Sequence, residues 1–124
     1  AAAHYFILNL PFNYDHDFAV QKVKEFITGQ QLDAILFSTN YLGILGIESI
    51  TQLNLRIPHD LAIICFDDHD LFKLYPPGIT TINQPLQSMA HTAVALLVEQ
   101  VEAKEKPATN HAQLKAELIV RGST

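Results

Sequence analysis

The chain has 124 residues, a length that suits one domain burying roughly two-thirds of the surface its unfolded chain exposes. Hydrophobic residues make up 48% and charged residues 17%, an ordinary globular composition that excludes a disordered tail. The net charge of -5 and scattered basic residues argue against this segment gripping a phosphate backbone, and the single cysteine excludes an intrachain disulfide or a multi-cysteine zinc site.

In chain order, His4 to Leu10 (HYFILNL) is an apolar run long enough for a strand, and Pro11-Phe12-Asn13 ends it. Asp15-His16-Asp17 supplies N-cap candidates for a helix from Phe18 to Thr28, where Val20, Val23 and Ile27 recur at helical spacing and Gly29 is the stop. Ala34 to Ser38 reads as a buried strand. Tyr41 to Leu53 reads as a helix with Ile44, Ile47, Ile50 and Leu53 along one side. Leu61 to Phe66 is a third strand and Ile79 to Asn83 a further extended segment. Leu86 to Ala103 forms a long helix, with Met89, Ala90, Ala93, Leu97 and Val101 in register. A polar connection then leads to a last strand, Leu114 to Val120. Apolar strands alternating with helices predict an α/β fold, a three-layer, mostly parallel sheet with helices on both faces.

Catalytic signatures are absent: there is no Gly-rich phosphate loop, no G-x-S-x-G and no C-x-x-C. Asp15-His16-Asp17 and Asp67-Asp68-His69-Asp70 are rich in possible metal ligands. Adjacent residues rarely converge on one ion, however, so neither a metal site nor a cofactor is expected, and the chain is read as a non-enzyme. No apolar run reaches the eighteen or so residues that span a membrane.

Asp67 and Asp68 end the Leu61–Phe66 strand, where open α/β sheets place their ligands. The run RIPHDLAIICFDD from Arg56 to Asp68 and PPGITTINQP from Pro76 to Pro85 resemble the "vPeDiaVvGFDD … PPLTTv.QP" stretch of the LacI/GalR transcriptional regulators. The closing Leu118-Ile119-Val120-Arg121-Gly122-Ser123 matches that family's "LvvR.S". The resemblance implies the later part of an effector-binding domain built like a periplasmic binding protein. Residues 4–83 and 112–121 would form the second lobe, lacking its first strand-helix unit, and 84–111 a helix and connection normally belonging to the first lobe. It implies a small-molecule effector, commonly a sugar, a homodimer, operator DNA bound through an N-terminal helix-turn-helix outside this sequence, no membrane, and a cytoplasmic location.

Effector contacts implied by the resemblance are Tyr14, as a stacking aromatic, Asn40, Asp67, Gln84 and Leu86. An ionised Asp67 can accept from two neighbouring hydroxyls. Asn40 also serves a plainer role as an N-cap candidate. Cys65 stands where the family has Gly, and Tyr41 where it has Asp, while Gly46 keeps the small residue. Dimer contacts are expected from Leu45, Leu74 and Tyr75. With its usual neighbours absent, the Leu86–Ala103 helix is expected to find another apolar surface or leave its stripe exposed. Two other readings share the fold: a periplasmic sugar-binding protein of a transporter, and a dimerisation module without effector binding.

Overall fold

A computed structural model describes residues 4–103 and 111–124. Helix α1 (His16–Gly29) is followed by β1 (Ala34–Phe37), α2 (Asn40–Gln52), β2 (Ala62–Phe66), a short α3 (Asp70–Leu74), β3 (Thr80–Asn83), α4 (Leu86–Glu102) and β4 (Glu117–Ile119). The strands lie in the order β1-β2-β3-β4, with β1, β2 and β3 parallel and β4 antiparallel to β3. The sheet is α/β and mostly parallel, as expected. The polar connection after α4 lies partly outside the described residues.

Parallel register fixes which side chains share a face. Phe37 pairs with Cys65 and Ile35 with Ile63, so Phe37, Ile63 and Cys65 point together toward α2, and all three are buried. On α2 the buried positions are Gly43, Leu45, Gly46, Ile47, Ser49 and Ile50, a wider arc than the predicted stripe. Two partners account for the width. Gly43 and Gly46 lie against the sheet: a Cβ on Gly43 would sit 2.5 Å from Cys65 Sγ, and one on Gly46 only 2.0 Å from Cζ of the Phe37 ring. One turn around, Ser49 Oγ donates to Val20 of α1 at 3.4 Å and to Leu45 at 2.8 Å. Val20, Val23 and Ile27 of α1 complete this core as predicted, and α1 starts under an Asp15 cap that accepts from the Phe18 amide. Phe72 of α3 closes the core near Gly43; that short helix escaped the sequence reading because five residues carry no helical period.

The other sheet face holds Leu36, Ile64, Phe66, Ile82 and Leu118 by the same alternation, and Leu36 and Leu118 are 60% and 58% exposed. Among the described residues α2 packs on the first face, while Leu36 and Leu118 leave part of the second open. Helix α4 buries none of its residues and leaves Leu86, Met89, Val94, Leu97 and Val101 exposed, so the exposed alternative of the two expectations holds.

Two boundaries need correction. His4 to Leu10 forms no strand: an extended run becomes one only by laddering, and it is hydrogen-bonded to no strand among the described residues. It borders instead a cleft of 980 Å³, whose opposite wall is the free edge of β1 from Ala34 to Phe37. Asn40 is the first residue of α2 and not its cap; Thr39 is the cap, accepting from the Leu42 amide at 3.2 Å.

The C-terminal motif locks the sheet. Ser123 Oγ accepts from the Thr80 amide at 2.8 Å and donates to the Ile63 carbonyl at 2.7 Å, bridging the starts of β2 and β3. Arg121 donates in parallel from both Nη atoms to the two Asp68 oxygens at 2.8 Å. Its guanidinium holds the Asp68 carboxyl below the usual carboxylate range. A carboxyl lowered in the folded state contributes stability above its unfolded pKa and loses it as pH falls through the folded one. Asp68→Asn is therefore expected to cost stability at neutral pH, with the deficit shrinking in urea titrations below about pH 4. Gly46→Ala is expected to cost about 1–3 kcal/mol by overpacking against Phe37, read as a lower urea midpoint at unchanged slope.

Candidate functional site

Parallel strands deliver their carboxyl ends to one edge of the sheet, and three expected polar contacts follow those ends. Asn40 comes three residues after β1, Asp67 directly after β2 and Gln84 directly after β3, and all three are half-buried. The structure joins two of them, since Gln84 Nε2 donates to Asp67 Oδ1. Asp67 itself takes a left-handed backbone, φ 66°, while its amide donates to the Ile82 carbonyl at 2.9 Å. Such a conformation costs an L-residue about 1–2 kcal/mol, less for Asp, and here it breaks the strand's alternation to turn the carboxylate toward Gln84.

The neighbouring Asp68 has a different part. Its side chain is 11% exposed and that of Arg121 17%, and the fork between them is supplemented by Arg121 donating to the Ile79 carbonyl at 2.7 Å. Asp68 is therefore chiefly an ion-paired anchor, which also accepts from the His69 amide at 3.1 Å, and not a solvated carboxylate. Sequence reasoning matched Arg121 only as a letter of the closing motif. The partners are 53 residues apart, and no local spacing signals their meeting.

The remaining expected contacts lie elsewhere. Tyr14 is half-buried, packs against the core and lines the cleft beside β1 together with Thr39, Tyr41 and Leu42. Asn40, Asp67 and Gln84 do not line it, so the stacking aromatic and the polar trio are not gathered into one pocket. Leu86 is 65% exposed at the start of α4. Of the expected dimer contacts, Leu74 is exposed and Tyr75 is half-buried, with its hydroxyl 3.0 Å from Thr51 Oγ1. Leu45 is 3% exposed and sits in the chain's own core, so it offers a partner almost no surface.

The Asp/His clusters are absorbed by local structure. Asp15 caps α1, His16 reaches Glu48 at 2.9 Å, His69 Nδ1 accepts from the Leu71 amide, and Asp70 pairs with Lys73 at 3.0 Å. Among the described residues no three His, Cys, Asp or Glu side chains are placed to hold a metal ion. Cys65 fills the space above Gly43, and burial pushes its thiol up to about 12, leaving it neutral and unreactive. No helix among the described residues is long and apolar enough to cross a membrane.

Residues 5–124 match the periplasmic binding protein-like domain. The chain is 38% identical over 94 residues to the HTH-type transcriptional regulator KdgR of Bacillus subtilis, covering 76% of this chain and 27% of that protein. It is 33% identical over 86 residues to the sucrose operon repressor of Streptococcus mutans, covering 69% and 27%. The chain thus spans about a quarter of the length of these curated relatives. Among solved structures, a LacI-family transcription repressor from Corynebacterium glutamicum superposes with a TM-score of 0.78 at 30% identity, over 89% of this chain and 42% of that one. A LacI family regulator from Arthrobacter, solved in complex with lactose, shares the fold with a TM-score of 0.74 at 24% identity, over 87% and 41%. This chain belongs to the periplasmic binding protein-like domain family, in the form carried by LacI-type transcriptional regulators.

Proposed function

We propose that the chain is the later part of the effector-binding domain of a cytoplasmic LacI-type regulator that senses a sugar. In this reading residues 4–83 and 112–121 belong to the second lobe, and 84–111 contribute a helix and connection to the first. Operator DNA is bound by a helix-turn-helix elsewhere in the protein, and this segment carries no catalysis. The single observation that carries the reading is Asp67, presented in a left-handed turn at the carboxyl edge of the sheet beside Gln84. The lactose found with the Arthrobacter regulator supports a sugar as the class of effector.

Chemically, the two oxygens of Asp67 suit a pair of neighbouring hydroxyls, with Gln84 holding the carboxylate in place until those hydroxyls arrive. Asn40 offers a donor and an acceptor at the next strand end, and Tyr14 an aromatic face for sugar C–H groups. Leu86 supplies an apolar contact where the chain leaves β3 for α4. An effector that binds one lobe orientation better than the other shifts the spacing of the DNA-reading heads, a coupling worth about 1–3 kcal/mol. In the complete regulator, Asp67→Ala is expected to abolish the effector response while operator binding persists in gel-shift titrations. An unchanged response would remove Asp67 from the site.

Association has its own support. The open sheet face and the α4 stripe are both apolar and both unpartnered within the described residues, a pattern that favours self-association through Leu74 and Tyr75 or through these faces. Light scattering of the 124-residue chain is expected to give the mass of a dimer; a monomer at high concentration would count against this.

A further inference from the structure

Adjacent in sequence, Asp67 and Asp68 hold two different legs of the polypeptide. Asp67 accepts from Gln84, on the leg that leaves β3 for α4. Asp68 is gripped by Arg121, on the leg that returns from α4 through β4. The grip is a fork, and both Nη atoms are engaged, one of them also with the Ile79 carbonyl. A fork fixes the plane of the carboxylate as well as its position, unlike a point charge. Because the Asp68 backbone follows directly on Asp67, a fixed Asp68 restricts the dihedral that joins them. The turn is also pinned by the Asp67 amide on the Ile82 carbonyl and by Asp68 Oδ1 accepting from the His69 amide at 3.1 Å. Backbone in the left-handed region persists in a non-glycine residue only where its surroundings over-determine it. Arg121 is the member of those surroundings most distant in sequence.

We propose that Arg121 is a positioning residue of the effector site, acting through Asp68 to hold Asp67 in the left-handed conformation that presents its carboxylate. The functional half of this proposal rests on the reading of Asp67 as a sugar ligand; the conformational half does not. Arg121 itself faces inward and is spent on Asp68 and Ile79, so it needs no contact with the effector.

The test has two arms. In NMR of the 124-residue chain, Arg121→Lys keeps the charge and loses the fork. The expected result is that Asp67 backbone shifts leave left-handed values while those of Ile63 and Cys65 stay. Asp67 remaining left-handed in a folded Arg121→Lys chain overturns the proposal. Should that variant unfold, Asp68→Asn is measured in its place, against the same criterion. In the second arm, sucrose, lactose and ribose are titrated into the complete effector-binding domain by calorimetry. Whichever of them binds is expected to lose at least tenfold in affinity on Arg121→Lys, and to lose nothing further when Arg121→Lys is added to Asp67→Asn. An undiminished affinity, or full additivity of the two changes, overturns the positioning role. A wild-type domain that binds none of the three sugars overturns the sugar reading, while the NMR arm still decides whether Arg121 holds Asp67.

Discussion

The fork between Arg121 and Asp68 is the constraint on which the carboxyl edge of this sheet depends. It joins the last few residues of the chain to the end of a central strand, and it does so with both charges largely withdrawn from water. Such a pair gives little net stability over a well-packed apolar substitute, because desolvation offsets much of the attraction. Its value lies in direction. A hydrophobic contact at the same place would tolerate rotation of the turn, whereas a bidentate pair does not. Ser123, two residues on, adds hydrogen bonds to both β2 and β3, so the closing LIVRGS segment works as a clasp across three strands.

Beneath that edge, the geometry is set by how closely α2 approaches the sheet. Glycines at 43 and 46 let the helix backbone come down onto Cys65 and Phe37, with no room for a further methyl group. The approach also explains a departure from the family pattern. A side chain at position 65 is accommodated because the helix above it is bare at Gly43, and the Cys65 thiol fills that space. Asn40 is carried by the start of that same helix and Asp67 by the end of that same strand, so packing in the core and spacing at the edge are coupled. Core side chains interdigitate at near-crystalline density, and a shift at Gly46 would therefore be felt at Asn40.

Among the described residues three surfaces remain open: the cleft between residues 4–12 and β1, the sheet face carrying Leu36 and Leu118, and the stripe of α4. Patches of this kind on one small chain mark interaction sites. They agree with a segment covering about two-fifths of the solved relatives to which it is similar. The polar trio at the sheet edge is built without these surfaces, although Tyr14, across β1, lies in the unfilled cleft.

Much of this was legible in the order of residues. The helical spacing of Val20, Val23 and Ile27, the apolar run ending at Phe66 and the carboxylate after it determined α1, β2 and the place of Asp67, since periodicity and strand burial are local properties. Motifs in Arg56–Asp68, Pro76–Pro85 and Leu118–Ser123 determined the family. What they did not contain was pairing. His4–Leu10 has the composition of a strand and forms none, because a strand needs a neighbour and composition does not supply one. Leu45 looked free and is buried, because α2 is flanked by both α1 and the sheet. Asp68 and Arg121, 53 residues apart, meet only once β4 has turned back antiparallel along β3. The sequence by itself determined which segments could be helices and strands and which carboxylate would stand at a strand end. Tertiary structure alone decided what that carboxylate's neighbours would be, because contacts between distant residues exist only after the chain has closed on itself.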